Sequence, residues 1–254
     1  MGERLKGKRA LIYGGGTGIG LAAAQAMARE GAAVFLSGRR RAVLASAAGA
    51  LGGQGRVGFL EGDATSVEDV TRVTEAAAKF LGGIDTIVIS AGAVGATPIA
   101  TTDPAEFQRI IDHNLRPLFL AVRFGAVHLL AAGSGSVIAV SSMYGLVGQK
   151  ERVAYCGAKA GMIGMVRAMA LDLAERRIRV NAICPGFVET ELALAVARQE
   201  ADPEAALNAK RRMHPVPRAG RLDEMGEITV YLASDLSAFV TGQSIAIDGG
   251  YTTR

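Results

Sequence analysis

A chain of 254 residues, half of them apolar, with 33 glycines and no tryptophan, is long enough to bury a sizeable core in one large α/β domain without disulfide or metal staples. Twenty-eight basic against 24 acidic residues leave a formal charge of +4, and the two signs are interleaved, which argues against a nucleic-acid face. Only Cys156 and Cys184 occur, too few for a disulfide framework and wrongly spaced for zinc, so no metal is expected and the cytoplasm is the expected compartment.

Taken in chain order, the N-terminal charges run into only a short apolar segment, Ala10 to Tyr13, so no secretory leader is expected. Apolar stretches are cut by charges or glycines short of the ~20 residues of a span, so no membrane contact is expected either. Runs of strand length recur at 9–13, 33–36, 57–60, 86–89, 136–140, 179–183 and 244–247. Helical patterns fill 19–30, 41–51, 67–80, 104–130, 154–175 and 223–232; the third opens on Ser66-Val67-Glu68-Asp69, close to a capping box. This alternation predicts an α/β, single-domain, Rossmann-type doubly wound sheet of seven mainly parallel strands flanked by helices on both faces. The segment from about 186 to 221 is far longer than an ordinary strand-to-helix connection and looks helical in its middle. Following a strand's carboxyl end, it is placed to act as a substrate lid; Glu191, Leu194 and His214 are its candidates to face a substrate. Lys210-Arg211-Arg212, with Arg218 and Arg221 beyond, reads as a solvated helix end or a subunit contact, since Met213, His214 and two prolines break the run.

The first strand leads into Gly14-Gly15-Gly16-Thr17-Gly18-Ile19-Gly20, which opens the first helix. There backbone N–H groups and the helix dipole make a site for phosphate, and glycine lets a backbone come close to it. The second strand ends at Ser37-Gly38-Arg39-Arg40-Arg41, where an acid would grip the ribose 2′-hydroxyl of NAD. No acid stands there. Gly38 leaves room and Arg39, with Arg40 beside it, offers charge, which suits a 2′-phosphate and favours NADP over NAD; Arg41 reads as the start of a solvated helix.

Further on, Tyr155 and Lys159 stand four residues apart, downstream of Ser141-Ser142. At helical spacing the phenol and the ammonium share one face. A fixed cation nearby is expected to favour the phenolate and lower the tyrosine pKa from roughly 10. Cys156, turned about 100° from Tyr155, reads as core filler.

With the Gly14-x-x-x-Gly18-x-Gly20 loop, Asp63 after the third strand, Ser90-Ala91-Gly92 after the fourth, Ser142 ahead of Tyr155-x-x-x-Lys159 and Pro185-Gly186 after the sixth, the chain resembles the short-chain dehydrogenase/reductase family over essentially its whole length. The resemblance implies hydride transfer between NADP(H) and a carbonyl or secondary alcohol. Tyr155 would be the proton donor or acceptor, and Ser142 rather than Ser141 the hydrogen-bond donor to the reacting oxygen. Lys159 would hold the nicotinamide ribose, and Asn114 a water in a proton relay. Gly14, Ile19 and Gly20 would line the pyrophosphate, with Thr17 and Gly18 in the same loop. Asp63, with Ala64 beside it, would meet the adenine amino group, and Ser90, Ala91 and Gly92 the adenosine ribose. Pro185, Gly186, Val188 and Thr190 would border the nicotinamide end. Tyr13 and Ser90 depart from the family's usual threonine and asparagine.

The same resemblance leaves 3-oxoacyl-carrier-protein reductase open, although the run from His128 to Gly133 lacks the basic cluster expected against an acidic carrier. A catalytically silent nucleotide-binding regulator is the alternative from another class. A serine hydrolase is disfavoured, since no Gly-x-Ser-x-Gly occurs and no histidine stands in a suitable context. The run from Phe239 to Gly250 resembles members that assemble as homotetramers.

Overall fold

The computed structural model describes residues 2–53 and 55–253. Its strands are β1 (Arg9–Tyr13), β2 (Ala33–Gly38), β3 (Val57–Glu61), β4 (Thr86–Ile89), β5 (Gly135–Val140), β6 (Ile178–Pro185) and β7 (Ser244–Ile247). The helices are α1 (Gly18–Arg29), α2 (Arg41–Leu51), α3 (Val67–Leu81), α4 (Pro104–Ala132), α5 (Val153–Ala174), α6 (Glu191–Ala197), α7 (Pro203–Arg212) and α8 (Leu222–Ala233). One sheet forms in the order β3-β2-β1-β4-β5-β6-β7, and every pairing in it is parallel.

The strand sequences are mostly apolar because both faces are covered, with Arg179 and Asn181 of β6 as interior exceptions. Along β1, Leu11 and Tyr13 enter a core with α3, α4 and α5, while Ala10 and Ile12 enter the opposite core with α1, α2 and α8. Local chemistry sets the ends of α3 and the start of α4. Ser66 Oγ accepts from the Asp69 N–H at 3.2 Å to start α3, and Gly82, at φ 78°, ends it by bonding back to Ala78. Asp103 Oδ1 accepts from Ala105 N at 2.7 Å ahead of Pro104, the first residue of α4.

Charges at Arg116 and Arg123 do interrupt the apolar run of α4, yet the helix is apolar on average. This helix of 29 residues reaches a mean hydropathy of 1.4 over 18 residues and so meets the length and composition of a membrane span. Its charges are sparse because one side enters the core through Ile110, Leu118, Ala121 and Leu129, while Phe119 and Val127 on the other side are exposed. Buried core helices pass the same test.

The chain runs outward from β1 to β3, then returns to place β4 on the other side of β1. At that reversal the carboxyl ends of β1 and β4 open a crevice, with Ser90 N donating 2.9 Å to the Tyr13 carbonyl across it. The long excursion after β6 carries α6 and α7, and its two ends are tied by a bridge between Val188 and Gly220.

Candidate active site

A cavity of about 590 Å³ lies over the carboxyl ends of the strands. Its walls bring together residues far apart in sequence: Gly14, Thr17, Gly18 and Ile19; Arg39 and Arg40; Asp63 and Ala64; Ser90, Ala91 and Gly92; Asn114; Ser142, Tyr155 and Lys159; Pro185, Gly186, Val188 and Thr190. Of the residues singled out in the sequence for catalysis or cofactor contact, only Gly20 stays off the wall. A Cβ at position 20 would overlap the Gly14 carbonyl and lie 3.1 Å from the Ser90 side chain. Gly20 therefore lets α1 pack beneath the loop instead of lining it. Gly14 has the conformational demand itself, with φ at +78° and space for a Cβ closed by Ala91 N at 2.7 Å.

Thr17 stands at the N-cap of α1 and makes no capping bond with its side chain, so that end keeps backbone donors for an anion. Arg39 and Arg40 line the same end of the cavity, and neither forms an ion pair among the described residues. Arg41 instead pairs with Glu61 at 2.8 Å. Asp63 Oδ1 accepts from Thr65 N and Thr65 Oγ1, both at 2.8 Å. Burial works against the Asp63 charge, yet the Thr65 bonds and the nearby Arg39 and His113 outweigh it, so the carboxyl sits below its ordinary range. Two buried oxygens on the wall, Ser37 Oγ and Asn114 Oδ1, have no hydrogen-bond partner, as a site completed by a polar ligand and water would leave them. An anion-ready helix end, unpaired arginines and orphan oxygens together fit a phosphorylated dinucleotide.

At the other end, Lys159 Nζ donates 2.8 Å to the Val140 carbonyl and lies 5.6 Å from the Tyr155 ring centroid. The two serines separate cleanly. Ser141 Oγ is spent on the Lys159 carbonyl at 3.0 Å, whereas Ser142 Oγ accepts from Tyr144 N at 3.2 Å and lies close enough to the Tyr155 phenol to favour its ionised form. Asn114 is fully buried and its amide nitrogen donates 2.8 Å to both Ala93 O and Ile110 O. Those bonds turn Oδ1 toward Gly92, where a Cβ would meet it at 2.8 Å and Lys159 Nζ at 3.6 Å.

The expected direction of the Tyr155 shift is reversed. Burial raises its pKa above the ordinary phenol value, and the opposing pulls come from the Ser142 hydroxyl and the Arg152 charge. The physical reason lies in Lys159 itself, which is 5% exposed and whose own pKa is pulled down to about 8 by burial. A cation that its surroundings partly neutralise, bonded to a carbonyl, gives little help to a phenolate.

Tyr13, in the place of the family's threonine, is buried and bonds Thr74 Oγ1 at 2.8 Å, tying β1 to α3. Cys156 is half-buried, not core filler; Cys184 is the buried cysteine. Within the excursion, Glu191 reaches the cavity but Leu194 does not. His214 is buried behind it, accepting from Phe187 N at 3.2 Å with Nε2 and bonding Asp248 O at 2.6 Å through Nδ1. The basic run is largely paired: Arg211 meets Glu189 and Glu204 at 2.6 and 2.7 Å, and Arg218 meets Glu224 at 2.6 Å. Tyr144, Gln149, Arg152, Phe187 and Lys210 also line the cavity; none forms a motif, and spacing from Tyr155 singles out only Arg152.

Comparison with known proteins agrees with this geometry. A family model described as enoyl-(acyl carrier protein) reductase matches residues 14–252. The chain is 36% identical over 256 residues to 2-(S)-hydroxypropyl-CoM dehydrogenase 3 of Xanthobacter autotrophicus, covering 99% of each protein. It is 33% identical to the NADP-dependent (R)-specific alcohol dehydrogenase of Lentilactobacillus kefiri, covering 100% of each. A crystal structure of a short-chain type dehydrogenase/reductase from Mycobacterium marinum superposes with a TM-score of 0.91 at 36% identity, covering 98% of this chain and 97% of that one. With a family model matched over residues 14–252 and relatives 33–36% identical along nearly their whole length, the chain belongs to the short-chain dehydrogenase/reductase family of oxidoreductases.

Proposed function

We propose that the protein transfers hydride between NADP(H) and a carbonyl or secondary alcohol, using Ser142, Tyr155, Lys159 and Asn114. The observation that carries this reading is the single cavity in which Tyr155, Ser142 and Lys159 share walls with the glycine loop and Arg39. Bound NADP(H) would supply or accept the hydride. The protein's part is to hold two carbons in register and to move one proton. The helix end at Thr17 and Gly18 binds the pyrophosphate, and Arg39 with Arg40 the 2′-phosphate. Asp63 and Ala64 meet the adenine, and Ser90, Ala91 and Gly92 border its ribose. Lys159 donates to the nicotinamide ribose, while Pro185, Gly186, Val188 and Thr190 border the ring.

In the reductive direction the Tyr155 hydroxyl gives its proton to the carbonyl oxygen, and Ser142 donates a second hydrogen bond to that oxygen as charge develops on it. A raised Tyr155 pKa keeps the proton on the tyrosine near neutrality, where reduction needs it. Asn114 Oδ1, beside Lys159 Nζ, holds a water through which Lys159 recovers a proton.

The chain is read as one domain over residues 1–254, with α6 and α7, about 186–221, as a lid. A homotetramer is proposed, supported by apolar residues exposed on α4 (Phe119, Val127), on α5 (Leu171) and at Phe239. That use of α4 favours a cytoplasmic protein with no membrane contact, and the paired basic run favours none with nucleic acid. NADP over NAD is supported by the two unpaired arginines and by the cofactor named for the Lentilactobacillus relative. The experiment is a panel of small ketones and secondary alcohols followed by NADPH and NADH absorbance. Turnover with NADPH ahead of NADH supports the reading; cofactor binding with no turnover of any substrate returns the protein to the silent-regulator alternative. A 3-oxoacyl thioester in the panel tests carrier-protein reductase.

A further inference from the structure

We propose that the substrate carries a carboxylate and that Arg152 holds it, one helical turn from the Tyr155 hydroxyl; this rests on the oxidoreductase reading above. Arg152 is the N-cap residue of α5, so its Cα stands about 4.5 Å along the helix axis from that of Tyr155. Its backbone is fixed from outside the helix. Thr97, completely buried, forms a bridge with it. Thr97 N donates 2.8 Å to the Glu151 carbonyl, and Thr97 Oγ1 accepts from Ala154 N at 3.1 Å. Glu151 itself takes φ 58°, a left-handed conformation that a glutamate adopts at a cost. The loop after β4 therefore clamps the start of α5 on both sides of Arg152.

The side chain lines the catalytic cavity with Tyr144, Gln149 and Tyr155. Among the described residues no carboxylate pairs with it, whereas Arg109, Arg211 and Arg218 each have one within 2.6 Å. Its neighbour Glu151 turns instead to Lys150, at 3.7 Å. The charge of Arg152 pulls against the burial that raises both Tyr144 and Tyr155, so it acts on the tyrosine side of the same cavity. A second cation without an ion pair comes from the lid: Lys210 lines the same cavity with Nζ 5.6 Å from the Phe187 ring centroid. Glu191, at the first turn of α6, is the carboxylate on the lid side of the wall. Val94, Leu192 and Val196 add apolar surface to the same cavity.

A partly desolvated guanidinium with no partner is costly to keep unless an anion visits it, and its planar fork matches a carboxylate with two hydrogen bonds. The cavity thus suits a keto or hydroxy acid with a short apolar middle: the carbonyl meets Tyr155 and Ser142, the carboxylate meets Arg152, and Lys210 closes over it.

The test compares kcat/KM for 3-oxobutanoate against 2-butanone and 4-oxopentanoate against 2-pentanone, pairs in which methyl replaces carboxylate. We expect at least one acid to exceed its neutral partner by about tenfold or more. Arg152→Gln should bring that ratio to about one and Arg152→Lys should keep part of it. Because Arg152 also acts on Tyr155, the ratio and not the absolute rate is the readout. Acids no better than their partners, or a ratio unchanged in Arg152→Gln, overturn the proposal. If no ketone turns over, the oxidoreductase reading fails separately, and calorimetric binding of 4-oxopentanoate decides: a loss of about tenfold or more in Arg152→Gln supports the carboxylate site, and equal or absent binding in both proteins overturns it.

Discussion

The Lys159 ammonium lies 5.6 Å from the centroid of the Tyr155 ring. One turn of α5 brings them together, but the strongest bond of Lys159 in this arrangement is to the Val140 carbonyl at 2.8 Å. The pair is buried enough that each group is pushed toward its neutral form, the lysine down to about 8 and the tyrosine upward.

Lys159 should therefore make stability depend on pH. Between about pH 8 and its ordinary value near 10.4, the unfolded chain keeps a proton that the folded chain has released, so stability rises with pH across that window. Relative to Lys159→Met, the wild-type protein should gain about 2 kcal/mol between pH 8 and pH 10.4. Urea unfolding of the two proteins at intervals of pH measures the difference; a constant gap would show that Lys159 is not desolvated.

In the proposed mechanism alcohol oxidation needs Tyr155 as the phenolate, and burial favours the phenol. The logarithm of kcat/KM for oxidation should climb with pH by about one per unit until the tyrosine ionises. Ser142→Ala removes the hydroxyl that opposes the raised pKa, so the climb should extend to higher pH. A profile that is flat, or unmoved in Ser142→Ala, contradicts the assignment of the base.

Arg39 lines the cavity and forms no ion pair among the described residues. If it meets a 2′-phosphate, Arg39→Ser removes charge-assisted hydrogen bonds of about 1.5–3 kcal/mol, so NADPH should bind about 10- to 150-fold more weakly. NADH should change far less. Fluorescence titration with each cofactor checks this, and equal losses would contradict it.

Gly20→Ala should destabilise the protein by about 1–3 kcal/mol, because the new methyl collides with the Gly14 carbonyl and the turn must shift. Gly49→Ala is the control: a Cβ there meets nothing within 4 Å, and a helical alanine should stabilise by about 0.5–1 kcal/mol. Thermal unfolding of both distinguishes a packing role for Gly20 from a purely cofactor-facing one, in which apo stability would not fall.

The sheet was legible because strands covered on both faces read as plain apolar runs, and the capping at Ser66 and the spacing of Tyr155 and Lys159 are local patterns. What stayed hidden depends on contacts between distant segments. Gly20 looks like a phosphate-loop residue until the Gly14 carbonyl is seen against it. The rise in the Tyr155 pKa follows from burial, which a helical spacing cannot express. Arg152 looks like an ordinary solvated helix start; only the cavity wall and the lack of a carboxylate partner set it apart. The apolar length of α4 was hidden by widely spaced arginines at 116 and 123.

The most direct measurement of the central claim is single-turnover reduction of a competent ketone by Tyr155→Phe, with NADPH binding measured on the same preparation. Turnover should fall by about 100-fold or more, the scale of a lost general acid, while NADPH affinity stays within about threefold, less than 1 kcal/mol. Turnover near the wild-type rate, or loss of binding together with turnover, would contradict Tyr155 as the group that moves the proton.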